Sequence, residues 1–92
     1  MSDVIDTALA VGSLFDYITP LATLTADLLF GYTIIYVPTV PGVAPIQIVW
    51  YIKEHGVSVV GADLDFAGDW LYMAVDDPDL AYKFTEWCWQ CH

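Results

Sequence analysis

Arginine is absent from these 92 residues and lysine occurs only twice, against twelve acids of which ten are aspartate, for a formal charge of −10. A field of that sign repels phosphate, so no nucleic-acid partner is expected. Cysteine is also scarce, with two residues placed almost at the end of the chain. Three apart on a regular helix, the two thiols could form an intrachain disulfide only under strain. Basic residues are missing from residues 1–15 as well, where Asp3 and Asp6 stand instead. A secretory leader begins with positive charge, so the expected location is cytoplasmic or inside a virion, with no secretory signal.

Residues 28–52 are long enough to span a membrane but lack a clean apolar run. Residues 28–52 contain no charge, yet three prolines and two glycines interrupt them and Tyr32, Thr33, Tyr36, Thr39 and Gln47 dilute them. They read as a buried strand, a loop and a buried helix, with membrane contact kept as an alternative.

What the chain has in excess is apolar surface. At 58% hydrophobic and 15% aromatic, it carries more than a single domain of this length can bury, because small globules hide a smaller share of their surface. The surplus points to a protein partner, through self-association or a larger assembly. An acidic, lysine-poor and aspartate-heavy surface is similar to that of proteins from salt-loving organisms, where molar salt screens self-repulsion. A fold that loosens in low salt is expected, and a virion component of a halophilic host fits the size and acidity.

One stretch organises the rest. In residues 57–75, Val60, Ala62, Leu64 and Phe66 alternate with Gly61, Asp63 and Asp65, so a half-buried strand with one acidic face is expected. Gly68 supplies a hairpin turn, and Trp70, Leu71, Tyr72, Met73, Ala74 and Val75 resume as a second strand. Trp70 and Tyr72 share one face of it, Leu71, Met73 and Val75 the other. Aromatics on a central strand superficially resemble the base-stacking face of β-α-β-β-α-β RNA-binding domains, but the charge opposes that use. A packing surface is expected instead, and Tyr32 and Tyr36 of an earlier strand join Trp70 and Tyr72 as the interaction surface.

Around this hairpin the punctuation is clear. Ser2 can cap a first helix with Val4, Ala8, Val11, Phe15 and Ile18 along one stripe, widened by Ile5, Leu9 and Leu14. Thr19-Pro20 stops it and starts a second helix over residues 21–30, ending at Gly31. Residues 32–37 read as a buried strand and residues 38–45 as a proline-broken loop. A helix over 46–55 stops at Lys53, His55 and Gly56. Asp77-Pro78-Asp79 starts the last helix, whose Leu80, Phe84, Trp87 and Cys91 form the expected apolar seam, while Lys83, Glu86 and Gln90 face away.

The expected fold is therefore α+β and a single domain over 1–92. N-terminal helices occupy 1–30, and a β-α-β-β-α unit occupies 32–91, which is a ferredoxin-like order lacking the last strand, with a three-stranded sheet. A right-handed crossover would set the first strand parallel to its neighbour and both later helices on one face. The missing strand leaves an unpaired edge.

Candidate chemistry is sparse. Cys88-Trp89-Gln90-Cys91-His92 matches the Cys-x-x-Cys-His pattern of c-type haem attachment. Cys88, Cys91 and His92 also give three of the four ligands zinc needs, with His55 or a carboxylate as the fourth. A redox pair and inert core-facing thiols are the other readings, and no cofactor is the leading one, with zinc or c-type haem the alternative. Asp63, Asp65 and Asp69 lack the spacing of a calcium loop and read as a solvated edge. His55 has no serine or cysteine partner assignable from spacing, so no enzyme is expected. The leading expectation is a non-enzymatic structural or interaction subunit. A metal or haem protein and a small membrane-associated protein are the alternatives.

Overall fold

In a computed structural model, which describes Leu14 and residues 16–90, the chain is α+β. Strands β1 (Thr33–Pro38), β2 (Val59–Leu64) and β3 (Trp70–Val75) form one sheet in the order β1-β3-β2, with helices α1 (Pro45–Glu54) and α2 (Pro78–Gln90). Both ladders are antiparallel. The expected parallel neighbour for β1 is therefore corrected: β3 inserts between β1 and β2 and runs against both. A β-α-β unit split in this way leaves its two parallel strands unbonded to each other, which is the ferredoxin-like order without its fourth strand.

Local chemistry explains the element ends. Gln47 Oε1 accepts from the Ala44 N–H at 3.0 Å, and Pro45 opens α1 where no donor is needed. At the other end Gly56 has φ +89°, its N–H donates to Lys53 O and that of Val57 to Ile52 O. These are the paired bonds of a Schellman stop. The Asp77 carboxylate accepts from the Leu80 N–H at 3.1 Å and caps α2 directly before Pro78.

One sheet face carries the core. Ile35 and Val37 of β1, Leu71, Met73 and Val75 of β3, and Val59 and Ala62 of β2 are buried with Ile48, Val49 and Ile52 of α1 and Ala81 of α2. The expected alternation in β2 shifts here. Val59 lies opposite Val75 and Gly61 opposite Ala74, so Val60 is an extra, bulged residue. Val59 thus takes the core position assigned by alternation to Val60, and Phe66 lies fully exposed in the turn.

The α2 seam is corrected by one row. Ala81, Thr85 and Cys88 are buried, whereas Leu80 and Phe84 are half-buried and Trp87 is exposed. Small residues let the helix approach β1 closely, and Thr85 satisfies its hydroxyl on Ala81 O at 2.8 Å. The displaced row meets α1 instead: His55 stacks on Phe84 with centroids 3.9 Å apart, and Tyr51 on Trp87 at 5.4 Å.

The second N-terminal helix is not formed. Residues 21–30 contain one 3₁₀ turn, Leu21–Thr23, followed by extended Leu24 and isolated turns up to Gly31. Threonine at 19, 23 and 25 disfavours a regular helix, and the Thr23 hydroxyl bonds Pro20 O instead. This segment serves as a strap. Leu14 and Ile18 are buried in the core and Tyr17 packs edge-on against Trp50 of α1. Thr19 O then accepts from the Ala62 N–H on the outer side of β2, with Pro20 bridged in parallel to Ala62. Leu21 and Leu24 reach the other sheet face above Gly61. The first helical stripe otherwise lies outside the described residues. Residues 28–52 form a turn, β1, a loop and α1, and no helix among the described residues is long and apolar enough to cross a membrane.

Candidate interaction surface

The sheet face opposite the core carries Ile34, Tyr36 and Pro38 from β1, Trp70, Tyr72 and Ala74 from β3, and Gly61 and Asp63 from β2. Their register places Pro38 beside Trp70, Tyr36 beside Tyr72 and Ile34 beside Ala74. Strand pleating makes this sharing automatic, since residues two apart point the same way. The β2 end of the face is closed by the strap, leaving Ala74 and Gly61 buried. The β1 end is open: Ile34 is 42% exposed, Tyr36 56% and Trp70 44%.

Tyr36 and Tyr72 meet edge to face, with centroids 5.1 Å apart and ring planes 87° apart. Such a pair fixes both rings in a preferred quadrupole arrangement. No acid or base stands between Thr33 and Pro38 or between Trp70 and Val75. The nearest carboxylate in the ladder is Asp63 opposite Tyr72, and it accepts from the Leu64 N–H at 2.9 Å. A neutral aromatic strip is thus set into a strongly acidic chain.

The two sheet edges are treated differently. The outer side of β2 holds the strap, while no strand among the described residues pairs with the outer side of β1. Thr39 N–H points inward to Asp69 O, and alternation turns the N–H groups of Ile34 and Tyr36 outward. The Tyr36 N–H donates to the Tyr82 hydroxyl of α2 at 3.4 Å. Pro38 has the same outward orientation and no N–H to expose, as suits an edge strand. Beyond it, Pro38, Thr39, Val40, Pro41 and Trp89 line a cleft of about 330 Å³. Thr39 Oγ1 is tied to Gly68 O at 2.9 Å, anchoring that loop to the hairpin turn.

Of the four expected surface residues, Tyr36, Trp70 and Tyr72 lie together. Tyr32 sits beyond the start of β1, half-buried, with its hydroxyl 3.2 Å from Ser58 Oγ. Ile34 and Tyr82 were not singled out by the sequence reading. The parity of Ile34 with Tyr36 is a legible signal for the first; only the helix–sheet packing places the second.

Cys88 lies on the core side of α2 at 8% exposure, and Cys91 and His92 lie outside the described residues. Among the described residues, no three His, Cys, Asp or Glu side chains gather as a metal site. The hairpin acids act locally, with Asp65 Oδ1 accepting from the Trp70 N–H across the turn at 3.1 Å. No family model, no curated protein and no solved structure matches the chain.

Proposed function

We propose that this chain is a small, non-enzymatic structural or interaction subunit that assembles with protein, using the open sheet face beside the β1 edge. The observation that carries the reading is the juxtaposition of exposed Ile34, Tyr36 and Trp70 with an edge that, among the described residues, has no strand beside it. Exposed apolar patches and unpaired edges are the two surfaces that soluble proteins normally suppress, so their coincidence favours a contact. The neutral strip adds a reason: two acidic molecules can approach there without setting carboxylate against carboxylate. Residual long-range repulsion from the −10 charge fades in molar salt, where the screening length is about 3 Å.

Ile34→Lys tests this directly, because Ile34 is exposed on this face at the β1 edge itself and the change sets a cation where the partner is to lie. Sedimentation at molar salt is expected to show association weakened at least about tenfold, as roughly 1.4 kcal/mol per decade would require. Far-ultraviolet circular dichroism is expected to stay unchanged. Association as strong as that of the wild type would rule out this face as the contact.

A further inference from the structure

The partner at the β1 edge is identified by what that edge can offer. Among the described residues, only Ile34 and Tyr36 of β1 present outward amide groups there. At one end Pro38 has no N–H to give, and at the other the Tyr32 N–H is already donated to Leu29 O at 3.0 Å. The available ladder is therefore two residues long, N–H and C=O at each. Such a pattern is self-complementary. A two-fold axis through Ile35 sets Ile34 of one chain against Tyr36 of the other and completes four hydrogen bonds with no outward N–H left over. We propose that the occupant of this edge is a second copy of the same chain, paired antiparallel β1 to β1 in that register.

The charge pattern selects the same occupant. A basic partner would find no carboxylate along Thr33–Pro38 to bind, whereas a second copy brings the same uncharged strip. The union makes one six-stranded sheet, on which Ile34, Tyr36, Trp70 and Tyr72 of both copies form a continuous aromatic face. Tyr82 is the latch. Its hydroxyl occupies the Tyr36 N–H through a long 3.4 Å bond in the single chain, and it must move aside for the ladder to close.

This inference rests on the assembly reading but is tested separately from it. Tyr36→Ala and Tyr36→Pro both lose the ring, and only the proline also loses the outward N–H. The ladder to β3 is untouched, and Pro38 shows that the strand accepts proline at this parity. The pairing requires that Tyr36→Pro associates at least tenfold more weakly than Tyr36→Ala, that Tyr82→Phe associates several-fold more tightly than wild type, and that the Ile34 amide exchanges more slowly as wild-type concentration rises. Circular dichroism of each variant verifies folding, and the Ile34 measurement needs no variant. Association with an Ile34 amide unprotected at every concentration, or equal association of the alanine and proline variants, overturns the register while leaving the assembly reading standing. A wild-type chain that stays single at every concentration overturns both.

Discussion

Gly61→Ala is expected to lower unfolding free energy by about 1–3 kcal/mol, the usual cost of forcing extra volume into a packed site. A Cβ at this position would stand 2.7 Å from Leu24 Cδ1, 2.9 Å from Thr19 O and 3.3 Å from Leu21 Cδ2. The leucine tips can rotate, but the Thr19 carbonyl is backbone and is held by its bond from Ala62 at 3.0 Å. Relief therefore requires lifting the strap from the edge of β2. Besides a lower melting temperature, faster proteolysis within residues 19–30 is expected at equal temperature, since a detached strap is cleavable. An alanine variant that melts and digests like wild type would show that the strap does not close down on Gly61.

Leu71→Ala carries the other large effect. Leu71 is fully buried on the central strand, opposite Val37 of β1 and Leu64 of β2, so it joins all three strands to the helical layer. Truncation removes three methyl or methylene-sized groups from a site whose neighbours are held by two ladders and cannot collapse inward. A loss of about 2–5 kcal/mol follows, a large fraction of the total stability of a domain this small. Phe66→Ala is the matched control: that ring is fully exposed in the hairpin turn, and its removal is expected to change stability by less than about 0.5 kcal/mol. Urea unfolding of the two variants gives the comparison, and equal midpoints would contradict this account of the core.

The parts of the fold that depend on local chemistry were legible in the residues. Asp77-Pro78 and Lys53-His55-Gly56 carry their caps within a few positions, and the Gly68 turn has φ +76° as a tight hairpin requires. What depended on packing was not. The bulge at Val60 breaks a periodicity that reads without interruption, because apolar residues occupy both Val59 and Val60. The buried row of α2 is Ala81, Thr85 and Cys88 rather than the larger Leu80, Phe84 and Trp87, since the distance to β1 selects for size and not for hydrophobicity alone. Residues 21–30 look helical by composition but are claimed by the β2 edge and by the space above Gly61. For the candidate surface, the aromatic parity of Trp70 and Tyr72 was visible in sequence. The choice of β1 as the open edge was not, because it depends on the strap covering β2.

The central claim is that this surface exists to be covered by protein. The most direct measurement is the light-scattering molar mass of the 10.2 kDa chain over a concentration series at molar salt. The account predicts a mass that climbs from one chain to two or more as concentration rises. A mass of one chain throughout, from a folded sample, would contradict it.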